Sequence, residues 1–417
     1  MKIRLMAVLL LVAIAAAGAS AQVKETVLHY FTGEPDGTFP YAGLIFDKAG
    51  NLYGTAEHGG NSTGRYGAGI AFELSPHGNG SWNESVLTTF GDDGGYPEGT
   101  LTFDSAGNLY GTTLSGGTFG GGVVFELSPN GSGGWNDTAL HNFQGGTNDG
   151  YSPLAGIVLD AAGNIYGTTI QGGGTQCEEG CGTAFELSPN GSGGWNESVL
   201  YRFCSQTNCT DGYSPYSQLV FDNSGNLYGT TGGGGSDDTG TVFELSPNGN
   251  GGWNHSILCG SGLGYPEAGV ILDKVGNIYG TSYSTVFELS PNGNGGWNKI
   301  TLHSFRGGTD GDTVYSGVIM DDAGNLYGTT ELGGSTGCGK FHPGCGTVYE
   351  LTPGSQGVWV EHVLSFGDGR RGAEPYAALV LDGAGNLYGT TYVENNNLCR
   401  HNNELEQNCG TVFEIKK

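Results

Sequence analysis

The chain is poor in charge, and poorest in positive charge. Of 417 residues, 15 are Lys or Arg against 41 Asp or Glu, for a formal net charge of −26. Such a polyanion has no patch with which to neutralise phosphates, so it is expected to bind no nucleic acid, and an anionic membrane surface repels it. Nowhere do apolar residues recur at the spacing of an amphipathic helix. The apolar run from Leu5 to Ala17 is too short to cross a bilayer and no second one follows, so no membrane insertion is expected. The signatures of common catalysis are missing too. There is no Walker-type Gly-Lys-Ser/Thr, no His-Glu-x-x-His, and no Gly-x-Ser-x-Gly elbow between a strand and a helix.

What the chain has instead is glycine, 82 residues of it, with no three-residue period and so no collagen. Much of it belongs to one hexapeptide. Gly50-Asn51-Leu52-Tyr53-Gly54-Thr55 returns as Gly-Asn-(Leu/Ile)-Tyr-Gly-Thr with its Asn at 108, 164, 226, 277, 325 and 386, at intervals of 57, 56, 62, 51, 48 and 61 residues. Seven units of this length, made of short apolar runs between Gly, Asn and Pro, indicate a ring of four-stranded sheets. The expected fold is all-β: a seven-bladed β-propeller of four-stranded antiparallel blades, one domain over residues 22–417.

Within a unit, Thr100 to Asp104 reads as the first strand, Asn108 to Thr113 as the second, Val123 to Pro129 as the third, and the run from Trp135 to Phe143 as the fourth. The first strand ends in an aspartate, Asp47 and its six counterparts, followed two residues later by Gly-Asn. That is turn-capping chemistry rather than seven calcium sites. The third strand reads Phe-Glu-Leu, and a glutamate repeated identically in every unit fits a packing or turn device better than catalysis, which needs an asymmetric pair. Six fourth strands begin with Trp for seven third strands. The missing one is matched by Val27-Leu28-His29-Tyr30-Phe31, so the N-terminal strand is expected to complete the last blade and close the ring, removing the open edges.

The N-terminus carries Lys2 and Arg4, then the apolar run, then Ala19-Ser20-Ala21 before Gln22. This is a signal peptide over residues 1–21 with cleavage near Ala21, so the mature protein is expected to be secreted or periplasmic. Nine cysteines suit that compartment. Cys177/Cys181, Cys338/Cys345 and Cys399/Cys409 each bracket a variable loop, and Cys204/Cys209 brackets a blade-to-blade link. Local disulfides are the simplest reading, with Cys259 left over. Zinc is disfavoured because the spacings do not recur and no His is regularly placed.

In an up-and-down blade the first and third turns lie at one end, and these barely vary. The second turn and the blade-to-blade link lie at the other end, and these vary widely, which marks the candidate binding face. The links place Tyr41, Glu98, Leu154, Tyr216, Glu267, Tyr315 and Tyr376 just before the innermost strands, six of them directly after Pro. Either they pack blade against blade, or they rim the channel mouth and bind a sugar or peptide through aromatic faces and polar tips. The expected partner is an extracellular glycan, peptide or protein, bound by a monomer without a cofactor, with calcium as the alternative and no metal site assigned. The alternative is a hydrolase or lyase with an acidic, calcium-assisted centre, for which Glu98, Glu267, Glu374, Arg370 and Arg371 are the candidates.

The unit (Leu/Val)-x-Phe-Asp-x-x-Gly-Asn-Leu-Tyr-Gly-Thr-Thr, followed by Gly-Gly, Gly-Thr-Val-Phe-Glu-Leu-Ser-Pro, Trp and a Val-Leu-x-x-Phe strand, resembles the GloVer tandem-repeat family of exported bacterial proteins over residues 27–417. The resemblance implies export and a β-propeller, and assigns no biochemical role.

Overall fold

The computed structural model describes residues 24–60, 67–91, 94–334, 344–365, 372–392, 398–401, 404–407 and 409–417. The expected signal segment, residues 1–21, lies outside them. The described residues contain seven four-stranded antiparallel sheets and no α-helix. Six sheets are contiguous in sequence. The seventh consists of Val380–Leu381, Leu387–Thr391, Thr411–Lys416 and, on the outside, Lys24–Tyr30. There Val27 pairs with Phe413 and Tyr30 with Thr411, so the ring is closed as the repeat arithmetic requires. Phe31 follows, 1% exposed, its ring edge-on to Phe72 of the first blade at 5.2 Å.

The hexapeptide recurs because each residue has a separate structural task. Gly50 sits at φ 89°, which turns the chain into the second strand. The Asp47 carboxylate caps that turn, accepting from the Ala49 and Asn51 N–H groups at 2.8 Å each and from Asn51 Nδ2 at 2.8 Å. The same arrangement returns at Asp104, Asp160, Asp222, Asp273, Asp321 and Asp382. Its oxygens are occupied by donors, in keeping with a turn device. Leu52 is fully buried. The Tyr hydroxyl binds the turn aspartate and, across the sheet, the glutamate of Phe-Glu-Leu: Tyr388 reaches Glu414 at 2.7 Å and Tyr327 reaches Glu350 at 2.8 Å. A Cβ on the second Gly would lie 2.6 Å from the Phe125 ring in the second blade. Thr112 donates to Ala155 O of the next blade at 2.8 Å, and Thr168 to Ser217 O at 2.9 Å.

The core therefore lies between blades. Phe72 and Leu74 of the first blade pack on Tyr388 and Val412 of the seventh, and the same cluster returns around the ring. Trp82, Trp135, Trp253 and Trp359 pack edge-on to the repeat Tyr of the preceding blade, with centroids 6.0–6.4 Å apart.

The innermost strands are shorter than the sequence suggests. Thr102–Phe103 stands where Thr100 to Asp104 was expected, and every blade has the same two-residue strand. Near the axis the backbones of neighbouring blades come too close for regular pairing, and these segments bond sideways instead: Gly43 N to Thr100 Oγ1 at 3.1 Å, Thr102 Oγ1 to Ile157 O at 2.7 Å. At Gly156 an added Cβ would sit 2.4 Å from Thr100 O, so only glycine fits there.

Two local disulfides are present, Cys177–Cys181 and Cys204–Cys209. Cys345 and Cys409 are also disulfide-bonded. Their expected partners, Cys338 and the Cys399 side chain, lie outside the described residues. Cys259 is free.

Candidate functional site

Each blade-to-blade link is stitched to the variable loops beside it, and the stitch aims side chains at the axis. Phe39 N–H donates to Cys409 O of the last blade, and Phe39 O accepts from Glu57 N at the end of the second strand. Tyr96, Ser152, Ser214 and Glu374 are held in the same way. Holding them there needs left-handed backbone at non-glycine residues: φ is 58° at Phe39, 61° at Tyr96, 56° at Ser152, 51° at Ser214, 61° at Tyr265, 59° at Thr313 and 58° at Glu374. Each such residue costs on the order of 1–2 kcal/mol, met by the paired N–H and C=O. The residue two positions on then faces the channel.

The structure brings Tyr41, Glu98, Leu154, Tyr216, Glu267, Tyr315 and Tyr376 together around one cavity of about 300 Å³, with Glu57 as an eighth lining residue. Below it the channel continues past the small innermost residues as a space of about 410 Å³. No Lys, Arg or His lines the mouth among the described residues. The lining is asymmetric. On one side Tyr315 and Tyr376 stack with centroids 4.7 Å apart, Tyr376 meets Tyr41 edge-on at 5.2 Å, and Tyr41 meets Tyr392 at 4.8 Å. Leu154 is the one aliphatic residue among those lining the mouth.

Glu98, Glu331 and Glu267, at or beside the mouth, are held towards their neutral form. Burial, and then the Glu57 carboxylate, push Glu98 up to about 8. Burial and then Glu374 push Glu331 up to about 7, against a hydrogen bond from Tyr376. Burial raises Glu267. Burial and the Tyr392 hydroxyl raise Tyr41, which stays a neutral phenol.

Of the enzyme candidates, Glu98 and Glu267 line the cavity, Glu374 lies in the link beside it at 4% exposure, and Arg370 and Arg371 fall outside the described residues. Glu57, Glu331 and Tyr392 were missed by the sequence reading. Each is the first residue after a second strand, a position equivalent to Leu114 and Ile170, and its proximity to the mouth comes from the link that pairs with it.

Three or more metal-ligating atoms come within 4.8 Å of one another at Cys177/Cys181/Cys204, at His29/Asp36/Glu84 and at His303/Asp310/Glu361; the mouth carboxylates form no such group among the described residues. The cysteines are already disulfide-bonded. The other two groups correct the expectation that histidine has no regular place. His29, His141 and His303 occupy equivalent outer-strand positions, each paired with the residue before the Phe of its third strand.

A repeat-family profile, the Gloeobacter/Verrucomicrobia repeat, matches residues 18–205, 61–285 and 260–417. The chain belongs to that family. No curated protein matches this Gloeobacter/Verrucomicrobia repeat protein. Among solved structures, a streptogramin B lyase aligns at TM-score 0.55 and 12% identity, over 94% of this chain and 97% of that one. A catalytically inactive virginiamycin B lyase from Staphylococcus aureus, solved with quinupristin, aligns at 0.56 and 13%, over 95% and 100%. A putative 6-phosphogluconolactonase from Bacteroides uniformis aligns at 0.51 and 12%, over 88% and 99%. At such identities the likeness is one of fold.

Proposed function

We propose that this repeat-family propeller is an exported, non-enzymatic binding protein whose channel mouth takes the end of a neutral extracellular glycan. The observation that carries the reading is the mouth itself: four tyrosines and three glutamates around about 300 Å³, with no cation among them. That volume suits one or two sugar rings. Tyrosine faces stack on the apolar face of a pyranose, and phenol and carboxyl groups hydrogen-bond its hydroxyls. Glu98, near 8, is protonated at neutral pH and donates as well as accepts, which favours a polyol over a cation. Export is supported by the disulfides and the family. The same Glu98, a protonated acid beside Glu57, favours a lyase or hydrolase as the second reading, with Glu98 as proton donor.

The deciding experiment is a neutral-glycan array with the mature protein, followed by calorimetry on hits with Tyr315→Ala/Tyr376→Ala. Loss of at least tenfold in affinity supports the reading. Hits unaffected by the double variant, or confined to polycations, sink it, and turnover of a bound glycan that Glu98→Gln abolishes moves it to the second.

A further inference from the structure

On the outer rim, far from the mouth, a His, an Asp and a Glu meet where two blades abut. At the junction of the seventh and first blades, His29 Nε2 lies 3.4 Å from Asp36 Oδ2, with Glu84 of the first blade completing the group. At the fifth and sixth, His303 Nε2 lies 3.2 Å from Asp310 Oδ1 and 3.5 Å from Glu361 Oε1. The three residues come from three places: an outer strand, the following link, and the outer strand of the next blade. We propose that these two junctions are binding sites for a first-row divalent transition cation such as Zn²⁺ or Mn²⁺, which bridges adjacent blades.

Four observations carry this. The first is spacing. With metal–ligand bonds of about 2.0–2.1 Å, tetrahedral ligand atoms stand about 3.3 Å apart, and the imidazole-to-carboxylate distances of 3.2–3.5 Å match that edge. The second is unmet bonding. Glu84 Oε1, Glu361 Oε1 and His29 Nε2 are shut off from solvent, and their approaches to the facing groups, 3.4 Å for His29 and 3.5 Å for Glu361, fall short of hydrogen-bond geometry. The third is charge. Two carboxylates share a half-buried seam at each junction, and their like charges repel across it. A divalent cation removes that conflict, and one imidazole nitrogen beside two oxygens selects a transition metal over calcium, which takes oxygens alone.

The fourth is that the histidine never stands without the glutamate, although Glu25 stands opposite Leu364 at the sixth-to-seventh junction and Asp211 beside Tyr201 without a histidine. The second-to-third junction carries the same residue types, His141, Asp149 and Glu197, with His141 Nε2 3.3 Å from Asp149 Oδ1, but the three ligand atoms do not gather within 4.8 Å there. Where the histidine position holds Thr88, the facing residue is Asp137, and the two bond directly at 2.9 Å. Where it holds Tyr201, the facing residue is His255, stacked on it at 4.0 Å. Where it holds Cys259, the facing residue is Lys299, bonded to Gly262 O. No described junction keeps the histidine and loses the glutamate. At the fifth-to-sixth junction the aspartate is fixed in advance by the backbone, Asp310 Oδ2 accepting from Arg306 N at 2.7 Å, which leaves Oδ1 turned to the imidazole; at the seventh-to-first, Asp36 Oδ2 faces His29 while also accepting from Thr32 N at 2.8 Å.

The test is calorimetric titration of the untagged, chelator-stripped mature chain with Zn²⁺ and Mn²⁺ alone, run in two buffers of different ionisation enthalpy. At least two equivalents should bind, with proton release, since imidazole and carboxyl ligands bind a cation only in their deprotonated forms. His29→Gln/His303→Gln should remove two equivalents and abolish most of the metal-induced rise in Tm. His303→Gln alone should remove one, which keeps the test readable if the double variant folds poorly. No uptake by the stripped wild type at 100-fold metal excess would overturn the proposal. So would uptake that the His303→Gln variant leaves unchanged, or preference for Ca²⁺ over both transition metals.

Discussion

Tyr315 and Tyr376, from the sixth and seventh blades, stack with ring planes 6° from parallel and centroids 4.7 Å apart. The stack ties two blade links into one surface, and Tyr376 also donates to Glu331, holding that acid below where burial alone would put it. Ring and hydroxyl are separable. Tyr376→Phe keeps the stack and removes the donor, so Glu331 should titrate above its present value of about 7, read by carbon-detected NMR of its carboxyl. Tyr376→Ala should cost about 1 kcal/mol from the lost aromatic pair and lower ligand affinity about tenfold, read by denaturant melts and calorimetry.

The stability of the ring should fall as the solution turns alkaline. Glu84, Glu98, Glu197, Glu331 and Glu361 are all raised by burial, to between about 7 and 8. The folded chain therefore holds more protons than the unfolded one between pH 4.5 and 8. Stability from these groups is fully present below pH 4.5 and is lost as pH rises through 7–8. The turn aspartates Asp222, Asp321 and Asp382 and the link aspartates Asp36 and Asp211 are lowered by their donors, and weaken the fold only under strong acid. Melting of the metal-free protein should thus peak near pH 4–5 and drop by several degrees by pH 8.5, and Glu98→Gln should flatten the alkaline side. A Tm that rises from pH 5 to 8.5 refutes the assignment.

Two glycines of different kinds should respond differently to alanine. Gly156 faces Thr100 O at a distance no Cβ tolerates, so Gly156→Ala should cost about 1–3 kcal/mol by forcing the innermost segments apart. Gly163, in the capped turn at φ 85°, has open space where a Cβ would go, so Gly163→Ala should cost only about 1 kcal/mol of backbone strain. Equal losses in urea melts would refute the close approach of Gly156 to Thr100 O.

Closure gives a third contrast. Phe31→Ala removes a ring buried against Phe72 at the joint and should destabilise by about 3–5 kcal/mol. A chain starting at residue 33 should expose the free edge of Thr411–Lys416 and self-associate, and a synthetic peptide spanning residues 22–32 should restore the monomer in light scattering. A truncated chain that stays monomeric and cooperative would show the latch to be dispensable.

The repeat was legible because each hexapeptide residue has its own partner: Asn51 on Asp47, Tyr388 on Glu414, Thr112 on Ala155. Identical tasks produce identical letters, and that periodicity survives loops of any length. The mouth was half legible. Tyr41 and its six counterparts stand at a fixed offset in the links, whereas Glu57, Glu331 and Tyr392 open variable loops and reach the axis only through backbone pairing with the links. The outer triads were hidden for another reason. His29, Asp36 and Glu84 lie on two blades and a link, and the first of them belongs to the last sheet. Only the closed ring sets His29 and His303 in one register.

That the outermost strand of the final sheet is Lys24–Tyr30 also bears on how the molecule is made. A ribosome delivers those residues long before their partners, Thr411–Lys416. Six sheets have emerged before the opening strand meets its mate, so it spends nearly the whole of synthesis unpaired. The slow event in folding should be this final encounter of the two ends, with the greatest loop entropy to overcome, and aggregation should compete with it in proportion to chain concentration.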